Sequence, residues 1–343
     1  MQYLRHSLFA FLGIINVVFS QSANLTSDGC VDAAGFQTCQ NGVTAATAAC
    51  LTKADADGSS LETEACGCTD YTDNINCYAA HCWNRVNECE YQTYAVEYLV
   101  GCPIAVLPIP YFPTPANAPD SCSCNLGDVY LAITGNIQQG STCSTNASST
   151  AIDNASESVQ QIQGCECCEI SGSLSSIYSI CPNTDPSLIG LSSVNQLETT
   201  LDTPFSSCGS YLAEFPCDTD LHFSAAAGGT FYGPDNLPAS GTQTLSNLAG
   251  TVTAPASGAV FTYTNGADKQ VYTISAASAE GAGSKATTTG KNGATTTSKS
   301  ESTTATSIAS TTGAQPTTTK SLSSKTESNI ILLGTLIVLS FIL

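Results

Sequence analysis

The chain has 343 residues, 18 of them cysteine, and a formal net charge of −19 at pH 7. Between Gln21 and Glu280 there are 26 acidic and three basic residues, so this part carries a net charge of −23. Because such a field repels phosphate backbones and anionic lipid surfaces, the composition argues against nucleic acid as a partner and favours a solvated surface. In an oxidising compartment, this cysteine content predicts disulfide bonds before metal ligands.

Residues 1–20 have the pattern of a secretory signal peptide. Arg5 precedes an apolar run from Leu8 to Phe19, and Ser20 is a small residue ahead of the expected cleavage at Gln21. The sequence therefore predicts a secreted mature chain that begins near Gln21.

Residues 21–217 are predicted to form a disulfide-rich ectodomain. Its halves, 21–102 and 122–217, hold nine cysteines each and are joined by the proline-rich stretch 103–121. All of the cysteines are expected to pair. They are Cys30, Cys39, Cys50, Cys66, Cys68, Cys77, Cys82, Cys89, Cys102, Cys122, Cys124, Cys143, Cys165, Cys167, Cys168, Cys181, Cys208 and Cys217.

The parity of the cysteines constrains their pairing. Because nine is odd, complete oxidation requires at least one bridge between the two halves, most simply from Cys102 to Cys122 or Cys124. Adjacent cysteines rarely bridge each other, so Cys167 and Cys168 are expected to reach two separate partners. The proline stretch would then be a stapled loop inside one unit.

The ectodomain is predicted to be mainly helical. From Ile75 to Val100, cysteine and apolar residues recur at mostly three- to five-residue steps, which indicates one buried helical stripe. A second helix is expected over Ala45–Ala54, ending before Gly58. With the segment that follows Cys217, this gives a small disulfide-rich α+β fold with a helical, cysteine-stapled core.

Residues 218–283 contain no cysteine and are predicted to be β-rich. Ala259–Thr264 and Lys269–Ile274 alternate around Asn265-Gly266, which indicates a hairpin with a four-residue loop. Because a lone hairpin is marginal in water, further strands are expected in Phe223–Tyr232 and Thr242–Thr253, or packing on the bridged core.

The last part of the sequence predicts a stalk and a lipid anchor. Residues 284–328 include 25 Ser or Thr among 45 residues, a composition typical of a disordered, O-glycosylated stalk. Residues 329–343 have the apolar character of a glycosylphosphatidylinositol (GPI) attachment signal that is removed on anchoring, with Gly313 and Ser321 as candidate attachment residues. N-glycosylation sequons occur at Asn24, Asn146 and Asn154.

Few residues are suited to catalysis. Once His6 leaves with the signal peptide, only His81 and His222 remain, and no G-x-S-x-G nucleophile motif is present. His81 is expected to pack against Trp83 or a disulfide bridge. The sequence therefore predicts no catalytic residue and no enzyme, although pairs among the many carboxylates leave acid–base hydrolysis of glycosides open.

One acidic segment approaches a calcium-binding pattern. With Gly58 at the turn position, Asp55, Asp57 and Glu64 fall at the third, fifth and twelfth places of an EF-hand loop. Lys53 occupies the first place, where its ammonium opposes a cation. A solvated acidic loop is the expectation, and neither a metal nor a cofactor site is predicted.

The layout of signal peptide, cysteine-rich ectodomain, Ser/Thr stalk and GPI tail resembles that of GPI-anchored, cysteine-rich surface and wall glycoproteins of filamentous fungi. Cys66-Gly67-Cys68, with Cys77 and Cys82, is also similar to the middle of the fungal CFEM domain. That resemblance implies haem binding through an Asp shortly before the C-x-C, whereas Asp55 and Asp57 lie nine or more residues before Cys66.

The expected function follows from this layout. The chain is interpreted as a glycoprotein on the outer face of the plasma membrane or in the cell wall, with a structural or interaction role. Its expected partners are the membrane, through the lipid, and cell-wall polysaccharide. A CFEM-like haem or metal-binding module is the alternative, and an enzyme that modifies wall polysaccharide is the third.

Overall fold

The computed structural model describes residues 24–149, 155–225 and 229–279, which all belong to one compact unit. Helices dominate it, and its single small sheet has two strands. The helices are α1 (Ala33–Asp57), α2 (Ser60–His81), α3 (Cys89–Gly101), α4 (Leu126–Ser149), α5 (Ala155–Ile180), α6 (Leu191–Leu201) and α7 (Gly209–Glu214), and the strands are β1 (Val260–Thr264) and β2 (Val271–Ser275). The expectation of a mainly helical, disulfide-rich α+β fold is confirmed; the predicted signal peptide, stalk and GPI signal lie outside the described residues.

Local signals set the boundary between α1 and α2. Gly58 adopts the left-handed conformation, with φ of 64°, and its amide donates to the carbonyls of Ala54 and Asp55, which ends α1. The Ser59 hydroxyl then accepts from the Glu62 amide and caps α2. The expected helix end before Gly58 is correct, but α1 begins at Ala33, earlier than predicted.

The single helix predicted over Ile75–Val100 is wrong. The chain leaves α2 at Cys82, makes a 3-10 turn at Trp83–Arg85 and starts α3 at Cys89. Cys82 is bonded to Cys30, and the Asn84 side chain bonds the amide of Val31 and the carbonyl of Gly29. These contacts hold the chain against the start of α1, so the helix does not continue.

All 18 cysteines are paired, in nine bridges. One bridge, Cys89–Cys122, crosses the proline stretch, as the parity argument requires. The expected partner of Cys102 was wrong, because Cys102 pairs with Cys68 across the α2–α3 packing. The adjacent Cys167 and Cys168 reach different partners, Cys208 and Cys217.

The two halves contain the same six-cysteine unit. In each, the first cysteine pairs with the fifth, the second with the third and the fourth with the sixth. We call them module 1 (residues 30–102) and module 2 (residues 124–208). The shared bridges are Cys30–Cys82, Cys50–Cys66 and Cys68–Cys102 in module 1, and Cys124–Cys181, Cys143–Cys165 and Cys167–Cys208 in module 2.

The modules also share their order of elements. Each consists of two long helices, a 3-10 turn and a third helix, and the second helix ends at the residue before the fifth cysteine. The spacing C-x-C-x13-C starts at Cys66 and again at Cys165, an offset of 99 residues. Buried apolar positions follow the same offset, as with Ile75 and Leu174. The chain therefore contains an internal structural repeat, and its main apolar core runs through both modules.

The segment after Cys217 forms less β-structure than predicted. β1 and β2 pair antiparallel, with Thr264 opposite Val271, so the connecting loop is residues 265–270 and longer than the four residues expected. The described residues of 223–232 and 242–253 form no strand. Gln243 and Asn247 instead form isolated bridges, with Thr184 of module 2 and with Cys122 between the modules.

We predict that joint replacement of Cys89 and Cys122 by serine lowers the free energy of unfolding by about 2–4 kcal/mol, the usual contribution of a disulfide. The other eight bridges should persist, because each closes within one side of the proline stretch. Thermal unfolding and non-reducing peptide mapping measure both effects. A Cys102–Cys122 peptide from the parent protein would contradict the pairing.

Candidate functional site

The helix pair of module 2 has a polar interior. On the buried side of α5, hydroxyls bond back to carbonyls one turn earlier: Ser173 to Glu169 at 2.8 Å and Ser176 to Gly172 at 2.7 Å. From α4, the Asn136 amide nitrogen donates to the Ser176 hydroxyl at 3.2 Å. The helices thus meet through bonded polar groups as well as apolar contacts.

Two glycines let these helices approach closely. Glu169 on α5 lies over Gly140 on α4, and Asn136 on α4 lies over Gly172 on α5. A Cβ at either glycine would lie closer to the carboxylate or the amide oxygen than real Cβ atoms do. The arrangement is reciprocal, so each helix supplies one polar side chain and the gap that receives the other.

This interface leaves two oxygens without hydrogen bonds. Glu169 Oε1 and Asn136 Oδ1 are buried and make none within the described residues. Burial, with a smaller contribution from the charge of Glu166, raises the pKa of Glu169 to about 9. The carboxyl is therefore protonated and neutral at pH 7, which removes the cost of burying an unpaired charge.

We predict that the ionisation of Glu169 weakens the fold as the pH rises. Its pKa is 4.5 in the unfolded chain and about 9 in the fold, so the free energy of unfolding should fall between those pH values. The expected slope is up to about 1.4 kcal/mol per pH unit. Glu169→Gln should remove it, whereas Glu64→Gln, at an exposed position on α2, should not. Thermal unfolding measured from pH 4 to 9 tests this. The prediction is contradicted if the free energy of unfolding depends on pH in the same way for the parent and for Glu169→Gln.

His81 is buried and forms a hydrogen-bonded pair with Asp32, a partner that the sequence did not predict. Its Nδ1 lies 2.8 Å from Asp32 Oδ2, and Asp32 also caps α1 by accepting from the Gly35 amide at 2.9 Å. Burial alone would raise the pKa of Asp32, but the hydrogen bonds from Gly35 and His81, with the charge of His81, hold it below its usual value. The pair ties the start of α1 to the end of α2.

Two glycines of α1 test this pair. A Cβ at Gly35 would collide with Asp32 and His81, whereas a Cβ at Gly42 would meet nothing within 4 Å. Gly42→Ala should therefore raise the free energy of unfolding by about 0.5–1 kcal/mol, through helix propensity. Gly35→Ala should lower it by about 1–3 kcal/mol, the usual cost of overpacking. Equal stabilisation in denaturant titrations would show that the pair does not constrain this turn.

The calcium-loop pattern does not form a loop. Lys53, Asp55 and Asp57 lie in the last turns of α1, and Glu64 lies in α2, so only Gly58 and Ser59 connect them. Lys53 instead bonds the carboxylates of Asp57 at 2.7 Å and Glu62 at 3.3 Å. The expected solvated acidic loop is thus corrected to two helix ends joined by a tight turn. A pocket of about 160 Å³ beside it is smaller than usual ligand sites.

The three basic residues between residues 24 and 279 all bond within the molecule. Arg85 bonds Glu88 at 2.7 Å and reaches the carbonyls of Thr26 and Asp28, which fastens the N-terminal segment to the turn after α2. Lys269 donates to the Gly266 carbonyl within the hairpin loop. With Lys53 paired as well, every basic side chain between residues 24 and 279 has an intramolecular partner.

A cluster of carboxylates that the sequence analysis did not single out lies where α2 meets the hairpin. Burial raises the pKa of Asp73, and the charges of Asp70 and Asp268 raise it further. The Tyr272 hydroxyl donates to Asp268 at 2.7 Å. The sequence indicated only that Asp70 and Asp73 would share one face of a helix, because they are three residues apart. Asp268 joins them only through the tertiary fold.

The remaining predicted positions are spread over the molecule. The side chains of Asn24, Asn146 and His222 are exposed, and Asn146 lies near the end of α4. Cys66, Cys77 and Cys82, which resemble part of a CFEM domain, bridge to Cys50, Cys39 and Cys30. Asn154, Gly313 and Ser321 are outside the described residues.

Within the ranges described above, no group of three or more His, Cys, Asp or Glu side chains is arranged to hold a metal ion. No helix in the same ranges is long and apolar enough to cross a membrane.

The comparisons with known proteins identify no relative. No family model matches the chain, no curated protein matches it, and no solved structure matches its fold.

Proposed function

We propose that this chain is an extracellular glycoprotein, held on the cell surface or in the cell wall by a GPI anchor, with a structural or interaction role. The observation that carries the proposal is the pairing of all 18 cysteines in nine bridges. Such dense pairing is typical of proteins that fold in the secretory pathway, and it stabilises a fold outside the cell.

The sequence at either end of the described residues supports the same proposal. The apolar segment after Arg5 would direct secretion, and the apolar segment after residue 329 would direct lipid attachment. The Ser/Thr-rich residues 284–328 would then form a glycosylated stalk between the lipid and the folded part. Sequons at Asn24 and Asn146 have exposed side chains, which suits glycans on the finished protein.

The surface charge favours an interaction role that does not depend on anionic ligands. Acidic residues greatly outnumber basic ones, and each basic side chain of residues 24–279 already has an intramolecular partner. Phosphorylated or strongly anionic ligands would therefore meet repulsion over most of the surface. Neutral wall polysaccharide or another protein surface fits this charge better.

We predict that phosphatidylinositol-specific phospholipase C releases the protein from intact membranes, because its only attachment would be the lipid. The released chain should begin near Gln21 and lack residues 329–343. A variant that ends at Ser328 serves as the matched control and should be secreted without the enzyme. Mass spectrometry that recovers a peptide containing Leu336 from the mature protein would contradict the anchor.

The same released material separates the rival functions. A Soret band on addition of haem would favour a CFEM-like haem module, and turnover of wall glucan or chitin would favour an enzyme. Binding to wall polysaccharide without turnover agrees with the proposed role. The absence of both haem binding and turnover also agrees with it.

A further inference from the structure

The second helices of the two modules use the same face to hold the segment that follows Cys217. Three positions of α2 define this face in module 1, and the positions 99 residues later define it in module 2. We call it the docking face: Asp73, Asn76 and Ala79 on α2, and Gly172, Ser175 and Tyr178 on α5.

In module 1 the docking face holds the β-hairpin. The Tyr263 hydroxyl donates to Asn76 Oδ1 at 2.7 Å, and Ile274 packs against Ala79. Just beyond the face, the Ala277 amide donates to the Ala80 carbonyl at 2.8 Å, and the Trp83 indole donates to the Ala277 carbonyl at 2.8 Å. Apolar packing and main-chain bonds thus act together.

In module 2 the same face holds an irregular segment. The Tyr232 amide donates to the Ser175 hydroxyl at 2.9 Å, and Phe231 lies against Gly172, where a Cβ would be 3.1 Å from the ring. One turn further along, the hydroxyls of Tyr178 and Ser240 lie 3.2 Å apart. The matched positions therefore bind in both modules, although the bound sequences differ.

The module 2 segment and strand β2 of the hairpin run in the same direction along their helices, whereas β1 runs in the opposite direction. In module 2, Phe231 lies at Gly172 and Ser240 lies at Tyr178, so the bound segment runs in the same direction as helix α5. In module 1, Tyr272 lies opposite Tyr263, which bonds Asn76, and Ala277 follows further along the chain at Ala80. Two sites with matched positions and the same polarity indicate a property of the module, not one accidental contact.

No covalent bond fastens these segments. The last cysteine is Cys217, so the hairpin is held by packing and hydrogen bonds alone. A chain of irregular structure, residues 249–258, separates the hairpin from Leu248, whose amide donates to the Ser121 carbonyl at 2.7 Å. For the hairpin to bind another molecule, only residues 249–258 need to change conformation.

We propose that the docking face of module 1 is a binding site for an extended chain, and that its intermolecular partner is the hairpin of a second copy of this protein. An exchanged hairpin makes the same contacts as a closed one, so exchange loses no interactions except in the connection. The inference rests on the proposed function in one respect, since anchoring on a surface raises the local concentration of copies.

The only tryptophan reports whether the face is filled. Trp83 is 3% exposed, and its indole nitrogen bonds the hairpin residue Ala277. An acceptor variant, Ile274→Asp, places a charge in the buried hairpin contact and should release its own hairpin, which shifts Trp83 emission to longer wavelength. A donor variant, Trp83→Phe with Ala79→Asp, has no tryptophan and should release an intact hairpin.

Adding the donor to the acceptor should restore the short-wavelength emission in a saturable way, and light scattering should show a mixed dimer. A donor that also carries Ile274→Asp is the matched control and should restore nothing. A donor with Tyr263→Phe should bind several-fold more weakly, because it loses one hydrogen bond. If Ile274→Asp does not release its own hairpin, an acceptor that ends at Gly258 replaces it in the same experiment, because that variant has no hairpin.

Unchanged emission of both acceptors at millimolar donor would overturn the proposal. Recovery with a synthetic peptide of residues 258–279, but not with the donor protein, would overturn the second copy as partner. Because these measurements use secreted protein in solution, they are independent of phospholipase release, and failure of the anchor leaves them unaffected.

Discussion

The set of nine disulfide bridges is the constraint on which the rest of the fold depends. In each module, one bridge closes the open end of a helix pair and another closes its tip, as Cys30–Cys82 and Cys50–Cys66 do in module 1. These bridges restrict the unfolded chain, so the helices need less apolar area to stay together. A chain with one tryptophan and 7% aromatic residues can therefore bury serines, asparagines and the side chains of Glu88 and Glu169.

Because the shared bridges hold the helices together, the contacts between the two long helices can differ from one module to the other. Module 1 has an extra bridge, Cys39–Cys77, between its long helices, whereas module 2 has Ser176 at the position that matches Cys77. There the helices meet through Asn136, Glu169 and two glycines instead. The frame of three shared bridges is kept, while the contacts within it have diverged.

The order of the bridges along the chain divides the molecule into two kinds of structure. Up to Cys217, covalent links fix the helices; after it, the chain lies on the docking faces without any. The outer edges of the two-stranded sheet are unpaired within residues 24–279, so the sheet depends on α2 for its stability. A covalently fixed base with a segment held only by packing and hydrogen bonds would suit the interaction role proposed above.

The sequence determined the helical class, the pairing of the cysteines, the need for a bridge between the halves and the hairpin, because these follow from periodicity, composition, parity and turn residues. The sequence also contains the repeated C-x-C-x13-C spacing, but the preceding cysteine lies 16 residues before Cys66 and 22 residues before Cys165, so the repeat is not uniform. Only the tertiary structure decided that Cys102 joins Cys68, that His81 meets Asp32 and that Glu169 is neutral. Such contacts join residues far apart in the chain, and their energies depend on burial, which local pattern does not specify.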